Sequence, residues 1–263
     1  MSAITTTGAG PGSSHRFRLD GRVAVVTGAA QGLGAAIARS LFEEGAVVAA
    51  VDLDEARAGD RVAELGDPER AIALAADVRD RAALARALEE VVTRFGRLDV
   101  MVNNAALNEA QPFDRVEEAE WDDLMAVNLR GVLFGCQLAA ERMRPNGFGR
   151  IINLGSDAGQ QPNRFVGAHY AAAKGGVIAL TKAVAQTVAA DGITVNAIAP
   201  AAFEGPVMST LPREQIEMLR ADIPVGRFGR PEEVGAAAVF LAGDSAGYIT
   251  GATLDVNGGK FMR

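Results

Sequence analysis

Short apolar runs alternate with helical segments along almost the whole chain, and this alternation restricts the fold more than any other feature. Seven such runs, each bounded by Gly, Asp or Asn, predict β-strands. Most of them lack the polar alternation of a one-sided sheet, which indicates parallel strands buried on both faces. Parallel strands need crossovers, and helices in those crossovers cover both sheet faces. The pattern therefore predicts an α/β, three-layer, doubly wound Rossmann fold with a seven-stranded parallel sheet.

The element boundaries follow from the ends of the apolar runs and of the helical spacing. The predicted strands span residues 23–26, 46–51, 71–75, 100–102, 151–154, 193–198 and 253–256. The predicted helices span residues 34–44, 55–65, 81–95, 118–144, 170–190 and 231–242.

The 263 residues fit one domain, because single α/β domains commonly reach about 250 residues. Residues 1–17 are rich in Gly, Ser and Thr and predict a flexible tail, which leaves 18–263 as a single catalytic domain. Residues 200–230 break the alternation and hold a short amphipathic stretch at 213–221. Because ligands bind beyond the carboxyl ends of the strands in such folds, we interpret 200–230 as a substrate lid.

Composition excludes several classes of function. The 26 basic and 33 acidic residues give a net charge of -7, without the basic excess that nucleic-acid binding requires. No apolar run reaches the roughly 18 residues of a membrane span, so a cytoplasmic protein is expected. Cys136 has the apolar neighbours of a buried helix face, and His15 and His169 lack metal-ligand spacing. No transition metal is expected, whereas carboxylate-bound magnesium stays open.

A glycine-rich loop, TGAAQGLG at 27–34, joins the first predicted strand to the first helix. Glycine permits the tight turn, and a missing side chain lets backbone N–H groups approach a pyrophosphate at the helix N-terminus. Alone, the loop is also compatible with an ordinary turn, but its place between a strand and a helix favours a dinucleotide site. The candidate cofactor-binding residues here are Gly28, Gln31, Gly32, Leu33 and Gly34.

Asp52 ends the second predicted strand, 18 residues after Gly34 (52 - 34), where this fold places a ribose-binding carboxylate. The ribose hydroxyls of NAD are able to donate to it, whereas the 2'-phosphate of NADP would bring roughly two negative charges against it. No Arg or Lys stands in the loop, and Arg57 is the nearest cation after Asp52. These features favour NAD. Asp52 is also placed to cap the helix that begins near Leu53 or Asp54, and only a cofactor assay separates the two roles.

Tyr170 and Lys174 lie four residues apart near a predicted helix start, on one face. A free phenol titrates at about pH 10. A neighbouring ammonium and the positive charge of oxidised nicotinamide both favour phenolate, so the pair suits proton transfer. Ser156, at the exit of the fifth strand, is placed to hydrogen-bond a substrate oxygen. Alone, these residues are also compatible with a half-buried ring, a solvated amine and a turn serine.

Together, these motifs resemble those of the short-chain dehydrogenase/reductase family, over a span from about Gly21 to Gly259. The resemblance implies that Tyr170 is the general acid/base, Ser156 steadies the substrate oxygen, and Lys174 binds the nicotinamide ribose while lowering the tyrosine pKa. The residues that carry the resemblance are 27–34, Asp77 with Val78, NNAA at 103–106, Asn128, Ser156, Tyr170, Lys174, 196–200 and YITG at 248–251.

The resemblance also implies further contacts. Asn128 would complete a proton relay through water, although by itself it is equally typical of a buried polar group in a helix. The implied cofactor contacts are Asp77 and Val78 at the adenine, Asn104, Ala105 and Ala106 along the cleft, and Pro200 and Phe203 beyond the sixth strand. Three positions depart from the family pattern. The family usually has Gly at positions 106 and 201, where Ala stands here, and a Thr in place of Gly205.

The sequence therefore predicts an oxidoreductase that transfers hydride between NAD(H) and the CH–OH or C=O carbon of a secondary alcohol or ketone. The alternatives are a non-catalytic nucleotide sensor or scaffold, and an enoyl reductase or epimerase on a related scaffold. The partner is a small alcohol or carbonyl compound whose identity stays open. Family resemblance implies a homotetramer with the segment through Arg263 near an interface. The candidates for substrate lining are Asn108, Asp157, Gln160, Gln161, Asn163, His169, Phe203 and Met208.

Overall fold

The computed structural model describes residues 17–108, 110–163, 165–205 and 212–263. In these ranges, seven strands form one sheet in the order β3-β2-β1-β4-β5-β6-β7, and every neighbouring pair is parallel. The predicted doubly wound α/β fold is confirmed. The strands are β1 (Val23–Thr27), β2 (Val47–Asp52), β3 (Ala71–Ala75), β4 (Val100–Asn103), β5 (Gly149–Leu154), β6 (Ile193–Pro200) and β7 (Thr253–Val256).

Helices cover both faces of the sheet, and each face buries an apolar cluster. Ile37 and Val234 belong to the cluster under α1, α2 and α8, and Leu88 and Val177 to the one under α3, α5 and α6. Each such side chain contributes about 1.5–3 kcal/mol when fully buried. The helices are α1 (Gly32–Glu43), α2 (Glu55–Ala63), α3 (Arg81–Phe95), α4 (Glu118–Met125), α5 (Gly131–Met143), α6 (Ala168–Val188), α7 (Arg213–Ala221) and α8 (Pro231–Ala242).

The single helix predicted over 118–144 was wrong at its centre. A π turn, Ala126–Arg130, separates α4 from α5. The Asn128 side chain in this turn exchanges two hydrogen bonds of 2.8 Å with the backbone of Leu107, and these tertiary bonds compensate for the irregular helix. Helical spacing alone does not reveal such a turn, because the apolar residues on either side keep nearly the same period.

Two predictions fall partly outside the described residues. Of the predicted tail, residues 1–16 lie outside, and the ring of Phe17 packs against Phe240 with centroids 6.4 Å apart. Of the predicted lid, residues 206–211 lie outside, Met208 among them. Within the described ranges, no helix combines the length and apolar character that crossing a membrane requires.

Cys136 lies on α5 in the apolar cluster, as its neighbours predicted. It is buried, and its Sγ lies 3.5 Å from Asn153 Oδ1. Burial raises the pKa of the Cys136 thiol to about 12, partly opposed by that hydrogen bond. Because the thiolate is the nucleophilic form, this cysteine is a core residue and not a reactive one.

Candidate active site

The carboxyl ends of the parallel strands bring the predicted site residues to one edge of the sheet. The glycine loop follows β1, Asp52 ends β2, Asn104 follows β4 and Ser156 follows β5. Because β2, β1, β4 and β5 are consecutive neighbours, these groups lie side by side along the edge, in the crevice where doubly wound folds bind ligands.

The loop between β1 and α1 has the backbone geometry of an anion site. Gly28 and Gly32 adopt positive φ angles of 65° and 57°. A Cβ at Gly34 would lie 2.1 Å from the Gly28 carbonyl oxygen, so only glycine permits this approach of helix and loop. A Cβ at Gly32, in contrast, would meet no atom within 4 Å, and the first turn of α1 holds no acidic residue. The open N–H groups of this turn suit a pyrophosphate.

The Asp52 carboxylate is held in a fixed orientation at the end of β2. Its Oδ2 accepts the Ala30 N–H at 2.9 Å, and its Oδ1 accepts the Asp54 N–H at 3.1 Å. The N-cap of α2 is Asp54, which accepts the Arg57 N–H at 3.0 Å, so the capping role considered for Asp52 belongs to Asp54. Since a carboxylate has about four lone-pair sites, Asp52 keeps acceptor capacity for ribose hydroxyls.

Arg57 lies closer to the glycine loop than its sequence position indicated. Its Nη1 donates to Gln31 Oε1 at 3.1 Å, and its Nε is 3.8 Å from Asp54 Oδ2. The side chain is 55% exposed, so the guanidinium is accessible to a phosphate bound at the loop. At the ribose end of the site, Asp52 therefore disfavours a 2'-phosphate, whereas Arg57 is a cation that could pair with one.

Asn104 braces the glycine loop through the nitrogen of its side-chain amide. Its Nδ2 donates to the carbonyl oxygens of Thr27 at 2.9 Å and of Gly28 at 3.1 Å. The Thr27 hydroxyl in turn accepts the N–H groups of Asn104 at 3.0 Å and Ala105 at 3.2 Å. Both amide hydrogens of Asn104 are therefore used, so a cofactor contact by this side chain would have to come from Oδ1, and Ala106 is the exposed residue of this motif.

Asp77 forms an ion pair with Arg79 that sequence reasoning did not predict. Arg79 Nη2 lies 2.7 Å from Asp77 Oδ2, and Arg79 also pairs with Asp123 on α4. The hydrogen bond from Arg79 holds the Asp77 pKa below its ordinary value. An adenine contact by Asp77 would have to share the carboxylate with Arg79. Val78 is buried, and its Cγ2 would lie 3.0 Å from a Cβ at Gly131.

Ser156 begins a short helical turn after β5 and is buried. Its hydroxyl donates to Asp157 Oδ1 at 3.2 Å. A Cβ at Gly159 would lie 2.6 Å from the Gly175 nitrogen on α6, so glycine allows the turn to approach this helix closely. The approach brings the Ser156 side chain close enough to Tyr170 to affect the pKa of its phenol.

Tyr170 and Lys174 are both desolvated. Burial raises the pKa of the Tyr170 phenol to about 12; the Ser156 hydrogen bond lowers it and the Asp157 charge raises it. Burial lowers the pKa of Lys174 to about 8. Its Nζ donates to the Leu154 carbonyl at 2.7 Å and lies 5.8 Å from the centre of the Tyr170 ring. The protein by itself therefore keeps the phenol protonated, and burial outweighs the lowering expected from Lys174.

Two further candidates are held by packing. Asn128 is fully buried with both ends of its amide satisfied by Leu107, so a water relay through it stays a prediction. Phe203 lies beyond Pro200, the end of β6, and bridges Gly229, where a Cβ would lie 2.3 Å from its ring. A Cβ at Gly205 would meet nothing within 4 Å, so crowding does not impose that departure from the family pattern.

His169 was wrongly predicted to line the substrate site. Its side chain is fully buried, with Nε2 3.8 Å from Glu120 Oε1 on α4. Successive residues of a helix are rotated by about 100°, so the residue before Tyr170 faces away from the cleft and into the contact between α4 and α6.

β7 and the segment after it contribute residues to this edge that sequence reasoning missed. Lys260 Nζ lies 2.9 Å from Asp157 Oδ2, and Gln160 Nε2 donates to Asp255 Oδ1 at 2.6 Å. The sheet order would have signalled the approach, because only β6 separates β5 from β7. The segments that follow β5 and β7 therefore start about 10 Å apart.

The chain is similar to known oxidoreductases over nearly its whole length. A family model described as "Enoyl-(Acyl carrier protein) reductase" matches residues 28–260. A 3-oxoacyl-[acyl-carrier-protein] reductase of Vibrio cholerae is 41% identical, covering 94% of this chain and all of that protein. A sorbitol dehydrogenase of Cereibacter sphaeroides is 39% identical, also over 94% of this chain and all of that protein.

A solved structure agrees with the fold. The crystal structure of an Agrobacterium tumefaciens protein, provisionally assigned as a gluconate dehydrogenase, superposes with a TM-score of 0.88 at 34% identity. The match covers 93% of this chain and 98% of the other. At this identity and coverage, the likeness extends beyond the sheet to the arrangement of its helices.

Proposed function

The chain belongs to the short-chain dehydrogenase/reductase family, and on that premise we propose that it uses NAD(H) with Tyr170 as general acid/base. The relatives support the predicted reaction class, hydride transfer between a nicotinamide and the carbon of a secondary alcohol or ketone. Because the relatives are named dehydrogenases and reductases, a non-catalytic sensor or scaffold is not supported. The enoyl name of the family model is not matched by these relatives, which are named for carbonyl or alcohol chemistry.

The residues at the sheet edge fit a nicotinamide dinucleotide. The open first turn of α1 suits its pyrophosphate, and the oriented Asp52 carboxylate suits the adenosine ribose. When bound, the cofactor supplies the carbon that accepts or donates hydride. NAD is favoured because Asp52 would repel a 2'-phosphate by about 1–4 kcal/mol, depending on screening. The exposed Arg57 offsets part of this repulsion.

Proton transfer is the step of the reaction that side chains of this protein carry out. In ketone reduction, the Tyr170 phenol donates its proton to the substrate oxygen, while the Ser156 hydroxyl turns its single hydrogen from Asp157 Oδ1 and donates it to the same oxygen. In alcohol oxidation, Tyr170 has to be phenolate to accept the proton. A Tyr170 pKa of about 12 supplies the protonated form at neutral pH. Positive charge nearby, including the Lys174 ammonium below pH 8, lowers the cost of the phenolate.

A single observation carries this proposal. The Tyr170 phenol lies near enough to Ser156 for that hydroxyl to affect its pKa, and its ring centre lies 5.8 Å from the ammonium of the buried Lys174, at the same sheet edge as the glycine loop. A desolvated lysine with its ammonium on a backbone carbonyl is costly to stability, so a purely structural role does not explain it.

Tyr170→Phe tests the proposal. We expect kcat to fall by about a thousandfold, because the proton carrier is lost, while NADH affinity changes little. NADH absorbance measures turnover and a fluorescence titration measures binding. The chain has two tyrosines, and Tyr248, which is fully exposed, provides the matched control as Tyr248→Phe. If Tyr170→Phe keeps more than a few per cent of wild-type activity, Tyr170 is not the proton carrier.

The assembly and the lid also remain proposals. An open cavity of 880 Å³ lies between α4, the π turn, α5 and α6, with Leu129, Leu133 and Leu180 on its apolar wall and charged side chains such as Asp122 and Arg130 beside them. Such an apolar helix face suits the contact between subunits of the proposed homotetramer. The described parts of 200–230, including α7, follow β6 at the site edge, where a lid over a small alcohol or carbonyl substrate would lie.

A further inference from the structure

The C-terminal segment places a lysine against the turn that carries Ser156. Lys260 Nζ lies 2.9 Å from Asp157 Oδ2, and the two side chains are only 11% and 3% exposed. The Lys260 carbonyl also accepts a hydrogen bond from Gln161 Nε2 at 3.2 Å, which fixes the backbone of the segment beside the turn. The ion pair is therefore built into the edge of the site and is not a mobile surface contact.

The same carboxylate touches the catalytic hydroxyl. Asp157 Oδ1 accepts a hydrogen bond from Ser156 Oγ at 3.2 Å, while Oδ2 faces Lys260. A buried carboxylate without a counter-ion would be strongly unfavourable, so Lys260 is what permits a charged group at this position. Asp157 in turn sets the direction in which the Ser156 hydroxyl points.

We propose that Lys260 is a positioning residue for the reaction, because it anchors Asp157 and, through Asp157, the Ser156 hydroxyl beside Tyr170. The inference rests on the proposed roles of Ser156 and Tyr170. It gives the end of the chain a part in proton transfer, although Lys260 touches no reacting group.

The ion pair also controls the charge that Tyr170 experiences. The Asp157 carboxylate opposes ionisation of Tyr170, and a neighbouring ammonium compensates for that negative charge. Loss of Lys260 therefore makes the phenolate harder to form. The other charged or titratable groups around the turn are Lys174 on α6, and Asp255 with Arg263, which are bonded to Gln160.

The pH profile of kcat/KM tests the proposal in the intact protein, with sorbitol and NAD or ethyl acetoacetate and NADH as probes. For Lys260→Met we expect the tyrosine limb to move by roughly one pH unit to the alkaline side. Lys260→Arg keeps the charge and should keep the wild-type profile. The double variant Asp157→Asn/Lys260→Met removes both charges, so the limb should return to the wild-type position or below it.

Arg263→Met is the matched control, because it removes a cation of the same segment that pairs with Asp255 and not with Asp157. A second readout needs no substrate. In a Tyr248→Phe background, Tyr170 is the single tyrosine, and its ionisation is followed by phenolate absorbance with NAD present. Asp157→Asn should lower its apparent pKa by roughly one unit.

Two results would overturn the proposal: a Lys260→Met profile that coincides with wild type, or an unchanged phenolate titration in Asp157→Asn. Either result leaves the proposed function standing if Tyr170→Phe is inactive. An active Tyr170→Phe enzyme instead removes the proposed function itself.

Discussion

The proposed cofactor end and the proposed proton-transfer end of the site are built from different chemical groups. Between Gly28 and Asp52, the site consists of backbone N–H groups, absent side chains and one oriented carboxylate, all from one stretch of chain. The proposed proton-transfer end consists of desolvated side chains from the turn after β5, from α6 and from the segment after β7. The first end depends on close approach, and the second depends on charge in a buried place. Substitutions at the first end should therefore act through steric clash, and substitutions at the second end through a change in buried charge.

Gly34→Ala should have the largest effect at the cofactor end. The new Cβ would lie 2.1 Å from the Gly28 carbonyl, and backbone has to move to relieve the clash. We expect a loss of about 3 kcal/mol in the free energy of unfolding and no measurable NADH binding. Urea denaturation and fluorescence titration measure the two effects.

Gly59→Ala is the control for Gly34→Ala. Gly59 lies within α2, and a Cβ there would meet no atom within 4 Å. Alanine in a helix interior should stabilise the protein by about 0.5–1 kcal/mol without changing cofactor binding. Equal stability of the two variants would show that close approach does not govern the cofactor end.

Lys174→Met should expose the charge dependence of the other end. The Lys174 pKa is about 8 in the folded state against 10.5 for a free lysine, so the unfolded chain binds more protons between these values. Stability rises with pH wherever the unfolded state binds more protons. From pH 7 to 10 the wild type should therefore gain about 2–3 kcal/mol in unfolding free energy relative to Lys174→Met.

The comparison for Lys174 is Lys182, an exposed lysine on the same helix. Because folding leaves its ammonium exposed, the difference in unfolding free energy between wild type and Lys182→Met should change much less over this pH range than the difference for Lys174→Met. If the difference for Lys174→Met is equally independent of pH, burial of the Lys174 ammonium costs nothing. The contrast between the two ends of the site would then disappear.

Asp52→Ser should produce the smallest effect in free energy and a clear change in specificity. Removing the carboxylate takes away ribose acceptors and the repulsion of a 2'-phosphate, while Arg57 remains beside the loop. We expect the ratio of kcat/KM for NAD to that for NADP to fall roughly tenfold to a hundredfold. Asp54→Ser, which keeps a capping side chain on α2, should leave the ratio unchanged. A wild-type preference for NADP would contradict the NAD proposal and indicate that Arg57 dominates.

Sequence periodicity predicted most of the fold because the sheet is buried on both faces. The bounds of β3, β7, α3 and α8 match the predicted ranges, and Asp80 and Pro231 mark two of these helix starts. The π turn at Asn128 could not be predicted from the periodicity, because the Asn128 side chain forms its hydrogen bonds with Leu107, which is distant along the chain. His169 was misplaced for a related reason, since neighbours of Tyr170 on a helix do not share its direction.

Local chemistry along the chain was enough to predict the order of the elements and to single out the glycine loop, Asp52, Ser156, Tyr170 and Lys174 as candidate site residues, since spacing and residue type act over a few turns. Tertiary structure alone decided that Arg57 lies beside Gln31, that Arg79 pairs with Asp77 and that Lys260 pairs with Asp157. Burial and ion pairing depend on which segments the sheet order brings together, and hydrophobic patterning carries little information about which charges will then become neighbours.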